Sequence, residues 1–269
     1  MRHGHFGRVD VKVHGLPSPC RKSSYGLEIA GRVCYDTCRM TEKTTKPIVI
    51  TIDGPAGVGK STAARGLARR LGATFLDTGA MYRAVTLAAV ERGIDPAETA
   101  RVEAMMDCCR FEFIPDDDTM HVLIDGADKT ADIRTPDITE QVRPIASSPA
   151  LRDRLAAMQR AFAAGRTMVV TEGRDQGTVV FPDAAVKFFL TADSTERARR
   201  RHTELYAAGN EMTLEVVLAR QQQRDASDQG RAVGPLKSAD DAIVVDTTAM
   251  TAEQVVEQLE TFVRERIHD

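Results

Sequence analysis

No apolar run in this chain approaches the roughly 18 residues needed to cross a bilayer. Charges or glycines interrupt every hydrophobic stretch, including 48–52 and 186–190, which predicts no membrane-spanning helix. The start of the chain is basic, but no apolar stretch follows it, so no secretory signal peptide is expected there. A formal charge of −3 supplies no net positive field for holding nucleic acid. Cysteine is scarce as well: Cys20, Cys34, Cys38, Cys108 and Cys109 form no CxxC pair and are too sparse for a disulfide scaffold. Cys34-x₃-Cys38 has no histidine or second cysteine pair at a useful spacing for a metal. These absences predict free thiols in a reducing, cytoplasmic compartment.

What is present reads as soluble and globular: 269 residues, 42% of them hydrophobic and 28% charged, enough for one large core or two smaller ones. Residues 1–46 stand apart. They mix Gly, Pro, Ser and basic residues, show no sustained hydrophobic period and hold three of the five cysteines, so they are expected to form an extension with little stable structure. Met40 offers a second ordinary-looking start.

From Lys46 onward, short β-branched runs alternate with helical patterns. Strands are expected at 47–52, 73–76, 167–171, 186–190 and 242–245. Helices are expected at 61–71, where Ala64, Leu67, Ala68 and Leu71 make one apolar stripe, and at 78–92, 150–164, 194–208, 214–225 and 252–267. Strands that are apolar on both faces and joined by helices imply an α/β fold whose parallel sheet is covered on both sides. Segments 111–114 and 120–124, separated by Asp116, Asp117 and Asp118, instead predict a two-stranded hairpin in a small inserted lobe.

Gly54-Pro55-Ala56-Gly57-Val58-Gly59-Lys60-Ser61 fits GxxxxGK[ST] directly after a predicted strand and at the opening of a predicted helix. Glycines let polyphosphate approach bare backbone, successive N–H groups turn inward, and the helix N-terminus adds positive potential. ATP is therefore expected on 54–62, from Gly54 to Thr62. Lys60 would bridge the β- and γ-phosphates, and the Ser61 hydroxyl would ligate Mg²⁺. No Asn-Lys-x-Asp tetrapeptide is present to read guanine, and none of the histidines sits in a recognisable motif. Arginines recur instead, at Arg83, Arg134, Arg152, Arg174, Arg199, Arg200, Arg201, Arg224 and Arg231. Phosphoryl transfer asks for positioning and positive charge more than for a strong base, which guanidiniums supply.

These residues fall in longer motifs: Ile50-Thr-Ile-Asp-Gly-Pro-Ala-Gly57, Leu76-Asp-Thr-Gly-Ala-Met-Tyr-Arg83, Ile133-Arg-Thr135, Glu172-Gly-Arg-Asp-Gln-Gly-Thr-Val-Val-Phe-Pro-Asp183, and Arg224-Asp-x-x-Asp-x-x-Arg231 leading into Pro235-Leu236. Through them the chain, from about Lys46 to its C-terminus, resembles the bacterial cytidylate kinases. The resemblance implies a P-loop nucleoside-monophosphate-kinase fold: a five-stranded parallel core sheet with an acceptor-binding insert and an arginine-rich lid. It divides the kinase domain, 47–269, into a core of 47–78, 166–198 and 236–269, an acceptor lobe of 79–165, and a lid region of 199–235. It implies that Thr78 and Arg83 hold the acceptor phosphate, that Arg152, Arg174 and Asp175 frame its base and phosphate, and that Arg224, Asp228 and Arg231 reach its sugar and phosphates. Arg199, Arg200 and Arg201 would neutralise the ATP phosphates during transfer, with Lys60. Arg143, followed by Pro144, stands where the family commonly has a serine facing the base, and Gln176 where methionine is frequent. The expected activity is ATP- and Mg²⁺-dependent phosphorylation of CMP or dCMP by a monomer that binds small nucleotides and neither nucleic acid nor membrane.

Overall fold

The computed structural model describes residues 46–268, apart from 117, 118, 208 and 210. The expectations for 1–45, including Cys20, Cys34 and Cys38, lie outside the described residues. In chain order the strands are β1 (Ile48–Asp53), β2 (Thr74–Asp77), β3 (Phe111–Pro115), β4 (Met120–Ile124), β5 (Ala127–Asp128), β6 (Met168–Gly173), β7 (Val186–Thr191) and β8 (Ile243–Asp246). The helices are α1 (Lys60–Leu71), α2 (Thr78–Glu91), α3 (Thr99–Cys108), α4 (Pro136–Ser147), α5 (Pro149–Ala164), α6 (Ser194–Ala207), α7 (Leu214–Gln229) and α8 (Ala252–His268). None of these helices is long and apolar enough to cross a membrane.

Five strands form the expected parallel sheet in the order β2-β6-β1-β7-β8. Neighbouring residues on a strand feed opposite faces, as strand geometry requires. Phe75 and Val170 join Ile50, Ile52 and Phe188 in a cluster with Leu67 of α1 and Leu259 and Val263 of α8. Leu76 and Val169 join Met81, Val85, Met120, Ile145, Leu151 and Leu155 on the other side. Burying each such side chain contributes about 1.5–3 kcal/mol, so the two-sided apolar strands are what hold the layers together.

Four differences separate this fold from the expectations, and three of them have physical causes. The hairpin is a three-stranded antiparallel sheet, β3-β4-β5. Its extra strand is only two residues long, and it is joined through Asp125 and Gly126, whose φ values of 51° and 83° suit a tight two-residue turn. Helix α4 keeps Pro144 in its last turns, a residue that ordinarily ends a helix, because Ile138, Ile145 and Ala146 are buried against the core. Helix α3 buries only Val102, Met105 and Met106, too weak a stripe to read in advance. Helix α7 also continues to Gln229, past the expected end at 225.

Candidate active site

β1 ends at Asp53 on the carboxyl edge of the sheet, and the chain turns through 54–59 into α1. The turn passes so close to β7 that a Cβ on Gly54 would lie 2.3 Å from the Leu190 carbonyl oxygen. Gly59 caps α1 in a left-handed conformation without any side-chain hydrogen bond. The first-turn amides therefore keep their unsatisfied donors and the positive end of the helix dipole. Lys60 is only 6% exposed, and its Nζ donates to Pro55 O at 2.6 Å. Ser61 Oγ donates to Glu172 Oε1 at 2.8 Å, at the end of the neighbouring β6. Val58 is buried, its carbonyl accepting from Thr247 Oγ1 at 3.2 Å, while Thr62 is exposed.

Asp53 fixes the segment that follows β6. Its two carboxylate oxygens accept from the consecutive amides of Gln176 at 2.9 Å and Gly177 at 2.7 Å, which open a π-helical turn, Gln176–Val180. Burial pushes the Asp53 carboxyl up to about 6 in spite of these bonds. Gln176 packs inward, donating to Gln159 Oε1 at 3.1 Å and accepting from Thr171 Oγ1 at 3.1 Å.

Immediately before that turn, Arg174 and Asp175 face residues from three other elements. Arg174 Nε donates to Asp228 Oδ2 at 2.9 Å, and Arg231 Nη2 to Asp228 Oδ1 at 2.5 Å. Arg152 of α5 pairs with Asp175, with side chains of 6% and 7% exposure, and donates to Ala146 O at 3.0 Å. The Arg152 guanidinium also lies 5.9 Å from the centre of the Tyr82 ring. Gly234, at φ 60°, closes over the pair: a Cβ there would lie 2.2 Å from both Arg152 Nη2 and Asp175 Oδ2. Thr78 sits at the start of α2 with Oγ1 donating to Glu172 O at 2.7 Å, and Arg83 reaches Asp77 Oδ2 at 3.5 Å.

The site carries positive charge in excess. Burial, then the Arg174 charge and that of Arg224, push Lys60 down to about 7 against the pull of Glu172 and Asp53. Arg224 is solvent-accessible but crowded; the walls around it, then Arg174, Arg231 and Arg201, hold it below the ordinary arginine value. Burial raises Asp228, yet Arg174 and Arg231 outweigh it and keep that carboxyl below its usual range. A pH-dependent result follows. Above pH 7 the free protein holds Lys60 mostly neutral, and a polyphosphate beside it restores the proton. If the loop takes MgATP as its motif predicts, binding at pH 8 should take up about one proton, falling toward none at pH 6. Calorimetry at pH 8 in two buffers of different ionisation enthalpy reads this directly, and equal heats in both would refute it.

The structure brings together Lys60, Arg174, Arg224, Asp228 and Arg231, and sets the Arg152–Asp175 pair beside them. It does not bring in all of the 199–201 cluster. Arg199 is exposed and bonds to Glu196 Oε2 at 2.6 Å. Arg200 donates to the carbonyls of Thr247 at 2.7 Å and Thr248 at 3.1 Å. Arg201 is exposed beside Glu204 at 2.9 Å, although its charge reaches Arg224. Arg143 is exposed on α4. Three residues escaped the sequence reading. Glu172 carried a usable signal, an acid closing an apolar strand; Tyr82 carried none beyond its motif, and the buried Arg197 lies in none of the motifs. Cys108 and Cys109 are free, and no group of three His, Cys, Asp or Glu able to hold a metal occurs among the described residues.

Known proteins resemble the chain over the same region. The family model described as cytidylate kinase matches residues 50–265. A cytidylate kinase of Mycobacterium avium (strain 104) is 48% identical over 221 residues, covering 81% of this chain and 96% of that protein. One of Rhodopirellula baltica is 48% identical over 218 residues, covering 81% and 93%, and one of Corynebacterium glutamicum is 46% identical over 212 residues, covering 79% and 92%. With the 54–59 turn, the parallel sheet from Ile50 onward and the arginines around Asp228 inside the matched span, the chain belongs to the cytidylate kinase family.

Proposed function

We propose how the residues of this site divide the work of phosphorylating cytidine monophosphate with ATP, the reaction that makes the chain a phosphotransferase of pyrimidine nucleotide metabolism. One observation carries the assignment: Lys60, Arg174, Arg224 and Arg231 gather around Asp228 and the 54–59 turn, and Lys60, Arg224 and Arg231 are lowered first by burial and then by one another's charge, which bound polyanions would relieve. ATP takes the loop 54–62, with Lys60 leaving Pro55 O to lie across the β- and γ-phosphates. Arg83, Arg152, Arg174, Arg224 and Arg231 gather the acceptor from the far side. The Nε–H groups of Arg83, Arg152 and Arg231 are buried without a partner among the described residues, a debt that a bound phosphate and a small closing shift would settle. Thr78 shapes the acceptor end of α2, and Asp228 spaces Arg174 from Arg231.

Base choice rests on Asp175. Arg152 holds its Oδ2, leaving Oδ1 to accept from the exocyclic amine of cytosine. Uracil presents no donor there, and a buried acceptor left unpaired disfavours it. Mg²⁺ fits beside Ser61: a hydroxyl next to the Glu172 carboxylate is an oxygen-only donor set, suited to an ion that keeps waters and phosphates as its other ligands. When bound it would offset the charge of the donor phosphates.

Transfer needs no general base, because the acceptor oxygen is already anionic. The chain's part is to align the two phosphates, exclude water and surround the migrating group with Lys60 and guanidiniums. Of Arg199, Arg200 and Arg201, Arg201 takes the role of neutralising the ATP phosphates, while Arg200 braces the turn after β8. The core of 47–78, 166–198 and 236–269 carries the donor, 79–165 carries the acceptor, and 199–235 closes between them, in a cytoplasmic monomer. The test is ADP release by residues 40–269 with MgATP and CMP, dCMP, UMP or AMP. CMP and dCMP should turn over fastest; equal rates with UMP would overturn the role of Asp175, and no turnover at all would overturn the assignment of the site.

A further inference from the structure

One face of α7 touches both halves of the site. Gln221, Asp225 and Asp228 recur at spacings of four and three, which aligns them along one side of a helix. At one end, Asp225 Oδ2 accepts from Arg197 Nη1 at 2.5 Å, and the same nitrogen donates to the phosphate-loop carbonyl of Ala56 at 3.0 Å. Arg197 Nε is held in turn by Ala192 O, just past β7, at 3.2 Å. Gln221 Nε2 donates to Arg197 O at 3.3 Å and abuts the loop so closely that a Cβ on Gly57 would lie 2.7 Å away. One turn further along, Asp228 holds Arg174 and Arg231.

Arg197 is 8% exposed, and a buried guanidinium is costly unless its bonds are made. Its bonds go to the carbonyls of Ala56 in the loop and Ala192 after β7 and to Asp225 of α7, so its guanidinium ties the loop to that helix. Asp225 Oδ1 and Gln221 Oε1 are buried without partners among the described residues, so this contact has hydrogen bonds still to gain if α7 shifts against the loop. Resting on the assignment of 54–62 to the donor and of Arg174, Asp228 and Arg231 to the acceptor, we infer that Arg197 is a positioning residue that couples the two nucleotide sites. A triphosphate in the loop fixes Ala56, Ala56 fixes Arg197, and Arg197 fixes Asp225 on α7. The Asp228 group is thereby set for the monophosphate, and linkage makes the effect reciprocal.

The experiment is calorimetric titration of CMP into the protein with and without a saturating non-hydrolysable ATP analogue and Mg²⁺. It compares the wild type with Asp225→Asn and Arg197→Met, beside a turnover assay of each. In the wild type the analogue should tighten CMP binding roughly five- to a hundredfold. In both variants that factor should drop below about twofold, while CMP binding without the analogue stays within about threefold of wild type. A merely structural role would weaken both titrations alike and leave their ratio alone. If Arg197→Met fails to fold, Asp225→Asn, which keeps the volume and one acceptor, decides. A wild type that turns over CMP without coupling, or an Asp225→Asn protein that keeps the full factor, overturns the coupling alone. A wild type that turns over no CMP overturns instead the site assignment beneath it.

Discussion

Lys60→Ala lowers kcat by roughly a hundred- to a thousandfold, about 2.7–4 kcal/mol of transition-state stabilisation, and leaves the fold intact. On the proposed assignment charge develops between two phosphates, and Lys60 is the first residue of the helix that would receive the donor. The side chain is buried, and its one hydrogen bond is to a carbonyl of its own loop. Removing it deletes a group whose charge already opposes Arg174 and Arg224, so the free protein loses little stability. Steady-state kinetics beside a thermal melt separates the two effects. A variant that keeps more than about a tenth of wild-type kcat, a loss of only about 1.4 kcal/mol, would remove Lys60 from the transfer step.

Arg152→Met destabilises the protein by about 3–5 kcal/mol, measured by urea unfolding at neutral pH. The cost comes from the partner left behind: Asp175 is 5% exposed, and Gly234 packs on the pair without room for a side chain. Carboxylate desolvation is then uncompensated. Adding Asp175→Leu should recover most of the lost stability, because two apolar groups of similar volume replace a buried pair at little net cost. The double variant should nevertheless remain inactive toward CMP. A loss below about 1 kcal/mol for Arg152→Met would mean that water reaches Asp175 despite the closure by Gly234.

Much of this was legible because its signals are local. β1, β2, β6, β7 and β8 are apolar on both faces, a pattern that only a sheet covered on both sides explains, and each lies within a residue or two of its expected place. The phosphate loop is legible for the same reason, since eight adjacent residues carry its geometry. β5 was missed because two residues show no alternation, although Asp125-Gly126 was a readable turn. What no single motif shows is which residues meet across the chain: Ser61 meets Glu172 111 positions away, and Arg197 meets Ala56 141 positions away. The resemblance drew notice to 199–201 as the start of the lid region, whereas the helical period decides which arginine turns inward. Burial selects Arg197 and leaves Arg199 in solvent.

Asp53 spends both oxygens on consecutive amides just beyond Arg174 and Asp175, and it does so from the central strand of the sheet. The Arg174–Asp175 segment is consequently tied to the centre of the sheet, whereas its partner Asp228 is borne on α7. Under the assignment proposed above, such an arrangement would act as a calliper, with one jaw fixed in the sheet gauging the base and a second jaw on the helix bringing charge up to it.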